Sequence, residues 1–151
     1  TIISRCQLIR FKSFSKKQLE IFIKNNLDSS KLNIEEELNV KDLINSANGS
    51  PGKILNNIKM WNELPNEIKD NLDSLFSDNL KILKISKIIT EELEIDQQVF
   101  LVNFIQKKYW IKTKNKNIIK TLENLKVNLR GFIQPRLAWE VALLKVAIEN
   151  L

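Results

Sequence analysis

Histidine is absent from this sequence, and cysteine occurs once, at Cys6. Without an imidazole there is no base of the usual kind for a serine or thiol and no complement for a zinc site. One cysteine supplies neither a thiolate cluster nor an internal disulfide. A Ser-His-Asp triad, a Cys-His dyad and a zinc site are therefore excluded within the chain, and the lone thiol fits a reducing compartment. No apolar run approaches the ~18 residues of a membrane-spanning helix, and no signal-peptide pattern is present, so the expectation is a cytoplasmic chain with no membrane partner. Glycine and proline are also scarce, three of each in 151 residues. So few chain breaks favour long helices over a many-turned β architecture.

What is present is the composition of a folded chain, with 43% hydrophobic and 28% charged residues. The net charge of +6 comes from 24 basic and 18 acidic residues. The cations are mostly lysine, interspersed with acids, and no block of five like charges occurs. That pattern reads first as a solvated face and second as a footprint for nucleic acid.

Apolar periodicity organises the chain into helices. Residues 1–12 alternate loosely through Ile2, Ile3, Ile9 and Phe11, as a short strand and connection would. Ser15 and Gln18 have capping-box spacing ahead of Leu19, Phe22, Ile23 and Leu27, which predicts a helix over Lys16–Leu27. A second helix carries Leu38, Val40, Leu43, Ile44 and Ala47 and ends at Asn48-Gly49, a common left-handed stop. A third begins at once, with Ser50 as N-cap and Pro51 in the first helical position. The pattern pauses at Pro65, which predicts a boundary between a three-helix unit, 13–62, and a second bundle of about five helices, 63–151.

In that second unit, helices are expected near 66–76, 79–93 and 96–112. The last two segments carry narrow stripes stepping by four, three, four: Ile118, Leu122, Leu125, Leu129, Phe132, and then Leu137, Val141, Leu144, Ile148, Leu151. The short connection at Arg130–Pro135 makes the pair an antiparallel hairpin. Both stripes are expected to face an internal core, with partner-helix docking as the alternative. Trp110 and Trp139 are likewise expected in cores or helix seams.

The residues offer almost no catalytic chemistry. Glu35, Glu36 and Glu37 suit the positive end of a helix, and Glu91, Glu92 and Glu94 a polar face. Neither group has the company of a metal site, and no metal is expected. Asn48 to Lys53, NGSPGK, lacks the Walker A spacing. It reads as a helix–helix turn or, with a helix N-terminus and a lysine together, as an anion site.

Three stretches in order, Ser4-Arg5-Cys6, Gly49-Ser50-Pro51-Gly52-Lys53 and PRLAWEVALLKVA from Pro135 to Ala147, resemble the delta-prime subunit family of the bacterial DNA polymerase III clamp loader, within the AAA+ ATPase superfamily. The resemblance covers nearly the whole chain. It implies the end of an ATPase-fold domain over residues 1–12, a three-helix lid over 13–62 and an oligomerising helical collar over 63–151. The GSPG opening the third helix separates delta-prime from the gamma/tau ATPase subunit, which typically has GSMRD there. The alternatives are a fragment of that gamma/tau subunit and a free-standing basic module that binds nucleic acid.

Several roles are implied by the resemblance alone. Arg5 is expected as a trans-acting finger that approaches the γ-phosphate of ATP-Mg held by a neighbouring subunit, with Ser4 and Cys6 positioning it. A guanidinium suits that task because it is always charged and forks onto phosphate oxygens. Lys53 stands where an ATP-binding relative places a sensor arginine, which argues against nucleotide sensing in cis. Walker segments are expected upstream of this sequence, so no catalytic activity or cofactor is expected in the fragment itself. The implied partners are gamma/tau and delta subunits through the collar, and the sliding clamp and primed DNA through the complex.

Overall fold

The computed structural model describes residues 12–26, 37–76, 78–131 and 133–149. These form eight helices: α1 (Lys16–Asn26), α2 (Glu37–Ala47), α3 (Pro51–Glu63), α4 (Asn66–Asn71), α5 (Asn79–Glu92), α6 (Ile95–Thr113), α7 (Lys116–Leu129) and α8 (Pro135–Glu149). No strand occurs among the described residues, so the fold is all-α. Residues 1–11, Glu35, Glu36 and Phe132 lie outside the described set, and with them the expected first strand.

Local chemistry sets the helix ends. Before α1, the Ser15 N–H donates to Gln18 Oε1 at 2.8 Å, and the Gln18 N–H donates to Ser15 Oγ at 3.3 Å. These reciprocal bonds satisfy two amides that a helix start leaves without partners. Ser50 Oγ accepts from the Lys53 N–H at 3.3 Å, and Pro51 takes a position whose missing N–H is no loss. Glu94 and Gln97 form a second capping box at the start of α6, and Asn115 caps α7. At the end of α6, Lys114 adopts φ 52°, a left-handed cap that glycine more often fills.

α6 is the organising helix. Apolar side chains surround it, and Phe100, Leu101, Val102, Phe104, Ile105 and Tyr109 are all buried, the pattern of a helix covered from several sides. α2 and α3 pack against it, as does α7, while α8 packs against both α5 and α7. The Trp61 and Phe104 rings, 4.8 Å apart, join α3 to α6. Buried side chains from Leu19 to Val146 form one continuous cluster.

A buried polar link adds register to this packing. Trp139 Nε1–H donates to Gln98 Oε1 at 2.9 Å, and Gln98 Nε2 donates to the Leu93 carbonyl at 2.8 Å. The arrangement holds α8 to α6 and to the α5–α6 connection. Because the acceptors are fixed in space, one alignment of α8 satisfies them, whereas apolar contacts alone tolerate sliding.

Two sequence expectations are corrected. Ile118, Leu122, Leu125 and Leu129 of α7 are buried, as their spacing predicts. The matching stripe of α8 faces outward: Leu137 is 52% exposed, Val141 43% and Ile148 71%, with Leu144 half-buried. The inward face of α8 is instead Ala138, Trp139, Ala142, Leu143 and Val146. Alanines let the helix approach its neighbours closely while Trp139 fills the space beneath, so the face richer in aliphatic side chains is the one left outside. Trp110 is the second correction. It is 40% exposed, because Tyr109 takes the inward direction, edge-on to Phe76 with ring centroids 4.8 Å apart.

Candidate functional site

Ser4, Arg5 and Cys6 lie outside the described residues, so the expected finger has no geometry here. The turn from Gly49 to Lys53 is well defined. Asn48 and Gly49 have φ values of 51° and 79°, and the Gly49 carbonyl accepts the Phe14 N–H at 2.9 Å. A Cβ on Gly49 would sit 2.7 Å from Ser13 Cβ and 2.8 Å from the Phe14 carbonyl oxygen, so glycine is required by both space and conformation. Gly52 is different: a Cβ there would meet nothing within 4 Å. Lys53 is exposed at the first turn of α3.

The outward face of α8 continues into a groove. Leu125 and Asn128 of α7, Ile133 of the connection, and Leu137, Val141 and Lys145 line a cavity of about 210 Å³. This is an apolar surface with a polar rim, suited to a helix or extended segment from another chain.

A larger cleft of about 940 Å³ opens between α2–α3 and α6–α7. Its floor includes Phe100 and Phe104, which are buried, and the half-buried Met60. Asn48, Lys53 and Asn56 stand on one wall, and Asn103, Lys107 and Trp110 on the other. Lys107 Nζ reaches Asn48 Oδ1 at 3.4 Å, a long hydrogen bond across the opening. Asn48 therefore meets α6 and Lys53 shares a cleft with it, which spacing alone did not indicate.

Charged groups around the cleft are partly committed. Glu123 Oε1 accepts from Lys126 Nζ and from Gln106 Nε2, each at 2.7 Å. The hydrogen bond from Lys126 and then that from Gln106 hold its carboxyl below the usual range. Lys108 bridges Asp73 at 2.8 Å and Asp42 at 3.9 Å. Burial nevertheless raises the Asp42 pKa, because the ion at 3.9 Å does not offset the lost hydration. Burial also pushes the Tyr109 hydroxyl up to about 12, so the phenol stays neutral. Among the described residues no group of acids or thiols could hold a metal ion, and no helix is long and apolar enough to cross a membrane.

Asn56, Asn103, Lys107 and Trp110 escaped sequence reasoning. Their signal lay in how charge is distributed rather than in its total. Residues 97–139 hold nine basic residues and a single acid, Glu123, while the rest of the chain holds fifteen basic and seventeen acidic residues. Counting runs of like charge misses this, since uncharged residues separate the lysines.

A family model described as cyanobacterial DNA polymerase III delta prime, C-terminal domain, matches residues 23–146. Comparisons with curated proteins and with solved structures gave no match.

Proposed function

The chain belongs to the family of DNA polymerase III delta-prime C-terminal domains, the part of a clamp-loader subunit that it represents, and on that premise we propose that it works by assembly rather than by catalysis. Residues 63–151 act as the collar and 13–62 as the lid. The outward stripe of α8 packs against collar helices of gamma/tau and delta subunits. Arg5 is presented to ATP-Mg in the neighbouring subunit, and the assembled loader places the sliding clamp on primed DNA.

The observation that carries the assembly reading is the exposure of Leu137, Val141 and Ile148 along one face of α8, beside an apolar groove. The Arg5 reading is supported by the Ser4-Arg5-Cys6 sequence and by the chemistry of guanidinium toward phosphate. Lys53, a point charge in place of a fork, favours a subunit that does not sense nucleotide itself.

The test is reconstitution with the partner subunits. Leu137→Asp combined with Val141→Asp should leave the melting profile of the chain intact and abolish its co-elution with them. Normal assembly of that variant would refute docking through α8. Arg5→Ala in the full-length protein should assemble normally and lower ATP-driven loading by at least ~10³-fold if Arg5 supplies transition-state charge as other fingers do. Unchanged loading would remove that role.

A further inference from the structure

We propose that the cleft between α2–α3 and α6–α7, together with the corner where α6 turns into α7, is a binding site for single-stranded nucleic acid. Trp110 stacks on a base, and Lys53, Lys107, Lys114 and Lys116 hold the adjacent phosphates. This goes beyond the assembly reading, which uses α8 and reaches DNA only through the complex.

Three independent observations converge on this corner. The first is charge. Residues 97–139 carry more positive charge than the whole chain nets, because the rest of the sequence is slightly acidic. Of its lysines, Lys108 and Lys126 are paired with acids. Lys112, Lys114, Lys116 and Lys120 are exposed and take part in no ion pair among the described residues. Glu123, the only acid of that segment, is already held by Lys126 and Gln106. Asp96 at the cleft margin remains as an opposing charge. An array of unpaired cations attracts a polyanion and releases its counterions on binding.

The second observation is the aromatic. Trp61 and Trp139 are buried, whereas Trp110 is 40% exposed at the cleft wall. An indole offers a flat face to any unpaired base. Helical spacing sets Lys107 three residues before it on the same face of α6, and Lys114 follows at the left-handed cap that ends the helix. Lys116 stands three residues before Ile119, which lines the cleft from α7. Cations therefore precede and follow the ring along the chain, with Lys107 beside it in the cleft lining.

The third is the lining. Asn48, Asn56 and Asn103 present amides above an aromatic floor; the Asn48 and Asn103 oxygens accept from Lys107 and Lys126, which leaves their N–H groups as the donors they can offer. Amides with aromatics suit base edges and faces, whereas a binder of acidic peptide would need cations without them. A duplex keeps its base faces stacked inside, so this cleft favours unpaired strands.

The experiment titrates a fluorescein-labelled 20-nucleotide oligothymidylate with the 151-residue chain and follows anisotropy across salt concentrations. Saturable binding should weaken with salt, with a log–log slope near −3 for four phosphate contacts at ~0.7 each. Trp110→Ala should weaken binding at least ~5-fold, with Trp110→Phe largely restoring it. Lys107→Gln, Lys114→Gln and Lys116→Gln should each flatten the slope by ~0.7, while Lys81→Gln on α5 should change nothing. Quenching of tryptophan emission by the unlabelled oligonucleotide should vanish in Trp110→Phe, which tests stacking in a variant that keeps an aromatic ring.

Absence of saturable binding at low salt would overturn the proposal. So would a Trp110→Ala variant that binds normally, or a duplex of equal length that competes as well as the single strand. Each would reduce the corner to a polyelectrolyte surface. None of these outcomes bears on the α8 assembly test, so the two readings fail separately.

Discussion

α7 and α8 are neighbours with the same apolar spacing and opposite outcomes. In α7, Ile118, Leu122, Leu125 and Leu129 turn inward, and their opposite side is lysine, asparagine and glutamate with one apolar residue, the exposed Val127. In α8, Leu137, Val141, Leu144 and Ile148 repeat the steps, yet three of the four are exposed and the fourth is half-buried. The difference lies on the far side of each helix. A polar back leaves α7 one way to dock. α8 has a second apolar face whose alanines permit close approach and whose tryptophan fills the core. Periodicity identifies an apolar face, and competition between faces decides which is buried.

The sharpest way to break this contrast is to put a carboxylate at equivalent places on the two stripes. Leu122→Asp should cost more than ~4 kcal/mol, since it buries an unpaired charge in place of packed carbon, and thermal melts should show a largely unfolded chain. Val141→Asp should stay within ~0.5 kcal/mol and shift the melting temperature by only about 1–2 °C. Equal losses would show that both stripes are core.

Two glycines repeat the contrast at single-residue scale, alike in sequence and unlike in surroundings. Gly49→Ala should destabilise by about 1–3 kcal/mol, through the left-handed backbone and the contacts with Ser13 and Phe14. Gly52→Ala in the first turn of α3 should be neutral or stabilise by up to ~1 kcal/mol, as urea titration would report.

The inner face of α8 can be probed without emptying it. Trp139→Phe keeps most of the ring and removes the N–H, which leaves Gln98 Oε1 buried and unpaired. A loss of about 1–3 kcal/mol is expected from denaturant midpoints. Gln98→Leu in the same background should recover part of it by removing the orphaned acceptor.

The polar back of α7 should give the smallest effect. The lowered Glu123 pKa means that its ionised form is favoured in the folded state. Its stabilisation is therefore complete above the unfolded carboxyl value of 4.5 and disappears as pH falls through the lower folded value. The Glu123 side chain is 54% exposed, so solvent screening keeps the contribution below ~1 kcal/mol. Glu123→Gln should melt slightly below the parent at pH 7 and coincide with it at acid pH.

Much of the fold was legible because local chemistry decided it. The capping box at Ser15, the Ser50-Pro51 start and the Asn48-Gly49 stop are written in adjacent residues, and the structure reproduces them. The placement of α8 was not, since it depends on Gln98, 41 residues away, as the partner of Trp139. The cleft was hidden for a similar reason. Lys53 and Lys107 are remote in sequence and share a cavity only because α2 and α3 pack on α6. Trp110 looked like core because tryptophan usually is. Only the side chains around it reveal that Tyr109 already holds the inward direction.

Lys114 sets two demands against each other. A non-glycine residue with a φ of 52° costs about 1–2 kcal/mol relative to one that accepts this geometry freely. The most comfortable backbone at the α6–α7 corner would thus carry no cation, and the most cationic corner must tolerate a tense backbone. Ease of folding and local charge form a trade-off at this single position, and optimising the chain for thermal resistance alone would erase the lysine first.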